Sequence, residues 1–180
     1  MEDPNVICIS GNHEDILKKT LDNDEDAKIY KKKYGSGFEI CKRELSISQL
    51  NWLLSLPKTL TLTFEEVSFF LSHGSLTTSD DYIYPDSKGT LLDDNYSEET
   101  FTIFGNTHYP FIRMHKNKYL INPGSVGQPR DVSSLSSYVV INTENMSIQF
   151  NRVAFESSLI ADRIKQIDPD NPYLIEVLSR

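Results

Sequence analysis

Phe101-Thr-Ile-Phe-Gly-Asn-Thr-His108 runs from aromatic and β-branched residues straight into a Gly-Asn turn that ends on histidine. The first four residues favour a strand and the next two a tight turn, so His108 stands just beyond a strand end. The pattern recurs in Val6-Ile-Cys-Ile-Ser-Gly-Asn-His13 and in Val67-Ser-Phe-Phe-Leu-Ser-His-Gly74. Strand pairing would gather these turns on one rim, where open α/β sheets keep their ligands. One histidine at a turn is usually a hydrogen-bonded structural residue. Three at three strand ends point to a shared site. His115, in Arg113-Met-His-Lys116, lacks that context and reads as surface.

Outward from these turns the chain reads as mixed α/β. Val6–Ile9 is a short buried-strand candidate. Across residues 14–34, Asp22-Asn-Asp-Glu-Asp26 precedes Lys31-Lys-Lys33 and a Gly35-Ser-Gly37 stop, which suits the dipole of one exposed helix. Ser46-Ile-Ser-Gln49 has capping-box spacing and opens a helix with Leu50, Leu53 and Leu54 on one face, ended by Pro57. Trp52 beside that stripe reads as packing. Leu60, Leu62 and Phe64 alternate with threonines before Glu65-Glu66 and Val67–Leu71, which predicts a hairpin. Residues 74–100 form a long Ser/Thr/Asp/Tyr-rich loop, and loops of that length usually carry function or disorder. Tyr119–Ile121 leads into Asn122-Pro-Gly-Ser-Val-Gly-Gln-Pro-Arg130, which is loop chemistry throughout. Tyr138–Ile141 and Met146–Val153 predict a second hairpin, and Glu156–Ile167 a closing helix. No repeat or linker divides residues 1–180, so one domain is expected.

Composition bounds the function. The 180 residues are 38% hydrophobic and 24% charged, with 18 basic against 26 acidic residues and a formal net charge of −8. That balance disfavours nucleic acid as the main partner, because phosphate backbones need a basic footprint. No apolar run exceeds four residues, far below the roughly 18 that span a bilayer, so no membrane partner is expected. Met1-Glu-Asp-Pro-Asn5 shows no secretory h-region. Two cysteines fit a reducing cytoplasm. Imidazoles and amide oxygens suit Mn²⁺, Fe, Zn²⁺, Ni²⁺ or Co²⁺ better than Ca²⁺. Asn12 and His13 are adjacent on a turn, so one can face a metal while the other faces substrate.

Gly11-Asn-His-Glu14, His73-Gly74, Gly105-Asn-Thr-His108 and Asn122–Arg130, in this order, resemble the calcineurin-like metallophosphoesterase superfamily, in its small prokaryotic-type phosphodiesterase/phosphatase branch. Asp81-Tyr-Ile-Tyr-Pro-Asp86 and the Leu50–Pro57 helix fit the same branch. The resemblance implies an αββα sandwich of mixed sheets flanked by helices. It also implies phosphoric ester hydrolysis by hydroxide attack at two metals about 3.5–4 Å apart. Carried across, Asn12 and His73 would ligate the second metal and His108 the first, and His13 would stand near the leaving oxygen as general acid. Arg130 and the Gly124–Gly127 backbone would touch phosphate or pocket, or else form a purely structural loop. The metal expected is Mn²⁺, with Zn²⁺, Fe, Ni²⁺ and Co²⁺ as alternatives, and the substrate a small phosphate ester.

Two departures qualify that expectation. The family's opening Asp-x-His and Gly-Asp segments are not found before Val6, which implies a sandwich lacking its first βαβ portion and much of its first metal's ligand set. Asn106 stands where the family has a histidine, so an amide oxygen would replace an imidazole on the second metal. Two readings follow: a phosphoric ester hydrolase, with this chain alone weakly active, or a non-catalytic scaffold such as the one the retromer coat uses. Unpaired sheet edges make a homo-oligomer an expected outcome. Substrate choice would lie with the 14–34 and 74–100 segments. Tyr82 and Tyr84 either pack within their loop, the commoner case, or stack on a nucleobase.

Overall fold

A computed structural model describes residues 5–179, so the acidic start at residues 1–4 lies outside the described residues. Glu65 and Glu66 both take left-handed backbone, with φ 47° and 69°. Two such residues in succession give a turn whose twist matches the flanking strands. β1 (Thr59–Phe64) accordingly folds antiparallel onto β2 (Val67–Ser72), with Phe64 opposite Val67 and Thr59 opposite Ser72. β2 runs parallel to β3 (Phe101–Ile103), which runs parallel in turn to β5 (Lys118–Asn122). β4 (Phe111–His115) closes the far edge antiparallel to β5, through a second left-handed pair at Lys116 and Asn117. Among the described residues the strand order is β1-β2-β3-β5-β4. The second sheet is the hairpin of β6 (Leu135–Asn142) and β7 (Ser147–Ala154).

Alternation along the strands builds a core on each face of the larger sheet. Phe69, Phe101 and Ile121 face the smaller sheet and meet Val139, Ile141, Ile148 and Phe150. Phe101 is fully buried and stacks on Phe69 at 5.1 Å and Tyr119 at 4.9 Å. Phe70 and Leu120 point the other way, joining Phe104 and Phe111 beneath Ile83, Leu92 and Tyr96 of the 74–100 segment. The helices stand outside these sheets. They are α1 (Asn12–Asp22), α2 (Asp24–Tyr34), α3 (Gly37–Glu44), α4 (Ile47–Ser55), the single turn α5 (Thr90–Asp93), α6 (Ser157–Ile167) and the short α7 (Tyr173–Glu176). The result is the expected mixed α/β arrangement, with a mixed sheet flanked by helices.

Several local expectations are corrected. Val6–Ile9 is not a strand: Val6 and Ile7 are exposed, and a bond from Ser10 N to Pro57 O at 2.9 Å ties the segment down. A strand exists only with a ladder partner, and none pairs with it among the described residues. Residues 14–34 make two helices instead of one. The break falls at Asn23, whose backbone is extended and whose Oδ1 accepts from Glu25 N and Asp26 N to cap α2. The acid-first, base-last pattern belongs to α2 alone, which stops at Gly35 with φ 80°. α4 has the expected capping box at Ser46 and Gln49, yet none of its residues is buried, so its leucine stripe lies outside the core. The 74–100 segment is a packed cover in which Ile83 is only 2% exposed. His115 is exposed, as expected of a surface residue, but it does end a strand, β4, and its ring lies 5.8 Å from that of Tyr96.

Phe101→Ala empties the centre of the inter-sheet core, and urea unfolding should show a loss of about 3–5 kcal/mol. A loss below about 1 kcal/mol would place the core elsewhere.

Candidate functional site

The three histidine turns meet in one cleft of about 820 Å³, which Asn12, His13, His73, Asn106, His108 and Arg130 all line. These six side chains therefore reach the same cavity, while the Gly124–Gly127 backbone, also singled out from sequence, is not among its lining residues. Glu14, Lys33, Tyr34, Tyr82, Tyr84 and Gln128 line it as well.

Each turn is held by specific bonds. Asn12 and His13 open helix α1, with Gly11 at its N-cap, rather than lying on a free turn. Successive helical residues project in different directions, so they still diverge as expected. Glu14 Oε2 accepts from Gly11 N at 2.6 Å and closes the helix start. His13 stacks on Phe38 (5.6 Å) and tilts against Tyr34 (5.1 Å), so α2 and α3 grip its ring. The His73 ring occupies a slot between two glycines. A Cβ at Gly11 would stand 3.1 Å from ring carbons, and one at Gly105 3.2 Å from Nδ1. A bond from Gly105 N to His73 O (2.9 Å) joins the second turn to the third.

The third turn is strained and pinned. Asn106 and His108 have φ 58° and 64°, a region that non-glycine residues occupy at a cost. Asn122, fully buried at the end of β5, donates through Nδ2 to Gly105 O (2.7 Å) and Thr107 Oγ1 (2.9 Å). Its Oδ1 accepts from Gly124 N at 2.9 Å, which fixes the 122–130 loop too. Asn106 Nδ2 donates to Asp81 O at 2.8 Å, leaving its Oδ1 without a hydrogen bond among the described residues. His108 Nδ1 bonds Gln128 O at 2.9 Å. A carbonyl can only accept, so Nδ1 carries the proton and Nε2 keeps its lone pair. Arg130 sits beside His108, and its buried Nε finds no hydrogen-bond partner among the described residues.

Burial holds all three imidazoles below the ordinary value of 6.5. Glu14 partly offsets this at His13 and His73. At His108 the Arg130 charge adds to the depression. Neutral rings with free lone pairs suit ligation. A divalent-metal centre needs more. Among the described residues no three His, Cys, Asp or Glu side chains group as a metal site. Asn12, His73, Asn106 and His108 are all neutral donors, so by themselves they do not complete the centre that the resemblance implies.

Some contributors had weak or hidden signals. Asn122 was visible only as the polar end of an apolar run before Pro-Gly. Tyr34 and Phe38 sit on helices whose packing no local pattern announces.

Depressed pKa values make stability depend on pH. The unfolded chain takes up protons near 6.5 while the folded site resists them, so stability is full above that value and lost as pH falls below it. Thermal melts should therefore weaken from about pH 7 to pH 5.5, and a His73→Gln/His108→Gln variant should flatten that slope. An unchanged slope would mean that these rings do not govern it.

The sequence profile of the calcineurin-like phosphoesterase superfamily domain matches residues 1–146. An uncharacterised protein of Methanocaldococcus jannaschii is 28% identical over 184 aligned residues, spanning 91% of this chain and 71% of its own. A crystal structure of a hypothetical protein from Pyrococcus horikoshii superposes with TM-score 0.78 at 19% identity, covering 98% of this chain and 73% of that one. A metallophosphoesterase from Sphaerobacter thermophilus gives TM-score 0.58 at 23% identity, over 72% and 61% of the two chains. At these identities the structural likenesses speak for the fold alone. No helix among the described residues is long and apolar enough to cross a membrane. With the family profile covering most of its length, and the strand-end turns meeting in one cleft, this chain belongs to the calcineurin-like phosphoesterase superfamily.

Proposed function

We propose that this chain binds and hydrolyses small phosphoric esters in the cleft between α1 and the ends of β2, β3 and β5. The observation that carries the reading is Arg130. It lines the cleft, pairs with no carboxylate among the described residues, and has a buried Nε without a partner among them. A buried donor without a partner costs free energy. Phosphate oxygens would satisfy it, and the guanidinium fork takes two of them together. The first turn of α1 also borders this cleft, through Gly11, Asn12, His13 and Glu14.

In this reading His13 serves the leaving oxygen as general acid. Burial holds it below the ordinary value of 6.5, which favours the neutral ring in the free chain. A phosphate dianion alongside would favour the protonated form, so substrate itself would charge the acid. The aromatic grip of Tyr34 and Phe38 holds the ring in place meanwhile.

Divalent-metal dependence belongs to the same proposal, Mn²⁺ ahead of Zn²⁺, Fe, Ni²⁺ and Co²⁺. Asn12, His73, Asn106 and His108 offer neutral donors, and anionic donors must join them for tight binding. The lack of a third His, Cys, Asp or Glu ligand among the described residues favours a second reading, a phosphate-binding module without turnover.

A chromogenic phosphomonoester and phosphodiester, each with and without Mn²⁺, separate the two. Weak turnover is expected from this chain alone, with His13→Ala lowering kcat by about 10²–10⁴-fold at unchanged Mn²⁺ affinity. Arg130→Ala should act chiefly by raising KM. An inert chain that still binds phosphate is the binding module, and one that does neither overturns the proposal.

A further inference from the structure

We propose that the ester accepted here is a nucleoside phosphate, its base stacked on a wall formed by Tyr82 and Tyr84. The inference rests on the phosphate-binding reading above and adds the class of substrate.

Burial alternates along residues 82–84. Ile83 turns inward, 2% exposed, into the core with Phe104, Phe111 and Leu120. Tyr82 and Tyr84 turn outward to line the cleft, 45% and 37% exposed. Their rings lie nearly parallel, at 14° with centroids 6.2 Å apart, and Tyr109 braces Tyr84 edge-on at 5.9 Å.

The backbone beneath this pair is fixed at both ends. Asn106 Nδ2 donates to Asp81 O, and Tyr84 N donates to Ser87 Oγ at 2.9 Å. A wall held this way gives up little freedom when a ring lies on it. Tyrosines that merely packed their own loop would be covered, and these are open.

The size of the cleft points the same way. About 820 Å³ falls in the range of pockets that enclose whole ligands, and a bare phosphate would fill only a small part of it. With Arg130 and the histidines assigned to the phosphate, the tyrosine pair in the same cleft supplies an aromatic surface for what the phosphate is attached to. Either a nucleobase or a simple aryl ester could supply a flat ring, and the volume favours the larger.

Calorimetric titration in Mn²⁺-containing buffer tests this with three ligands: adenosine 5′-monophosphate, phenyl phosphate and ribose 5-phosphate. The nucleotide should bind about tenfold or more tighter than ribose 5-phosphate, with phenyl phosphate between them. Tyr82→Ala/Tyr84→Ala should erase that preference while keeping ribose 5-phosphate affinity, which also certifies the fold. Tyr82→Phe/Tyr84→Phe should restore it. Equal affinity for nucleotide and sugar phosphate, or tighter binding of phenyl phosphate than nucleotide, overturns the nucleoside assignment and leaves the phosphate reading standing. No binding of any of the three overturns both.

Discussion

The side-chain amide of Asn122 is the bond-maker on which the rest of the site depends. It stands at the last position of β5, fully buried, and each of its groups is used: two donations to the Gly105–Thr107 turn and one acceptance from Gly124. Burying an amide is favourable only when its partners are in place, so the amide and the two loops require one another. The left-handed backbone at Asn106 and His108 persists because this bracket over-determines it. Strand β5 is paired on both sides, by β3 and β4, so the bracket stands on an interior strand of the sheet.

From that point order passes outward through single bonds. Asn106 carries it to Asp81 and so to the tyrosine pair. Gly105 carries it to His73, and the two-glycine slot carries it from His73 to the start of α1. His13 is reached last and needs a separate support, the aromatic rings of α2 and α3. Elements far apart in the chain are thus tied together around one cleft.

What could be read beforehand followed from how local the governing physics is. The hairpin at Glu65–Glu66 and the capping box at Ser46 are decided within a few residues, and both were foreseen. His73, Asn106 and His108 were legible because a strand followed by a tight turn is also a local signature, whereas Asn12 and His13 follow a segment that is no strand and Arg130 was suggested only by the family resemblance. Val6–Ile9 has strand composition but depends on a partner that composition cannot supply. The break at Asn23 was hidden inside a charge run, where an N-cap asparagine looks like one more polar residue. α3 was hidden behind Gly35 and Gly37, which announce a stop and say nothing of the restart. α4 failed differently: its periodicity is real, and what its leucines would face is a tertiary matter. The roles of Asn122 and of the Tyr34–Phe38 grip are tertiary too, since both act across long sequence separations.

The charges carry one more consequence. The chain bears a formal net charge of −8, yet Lys33 and Arg130 enter the cleft without a carboxylate partner among the described residues. An anion approaching from solution therefore meets repulsion first and attraction only near the mouth. Dissolved salt weakens the distant part, because charges separated by more than about 10 Å are screened at 0.1 M ionic strength, and spares the contact made inside. Modest salt should then quicken the arrival of a phosphate-bearing molecule, the reverse of the behaviour of a protein whose whole surface is basic. Such a field also sorts by length: a single phosphate can slip through to the two cations, whereas a long polyanion meets opposition along all the charge it must leave outside.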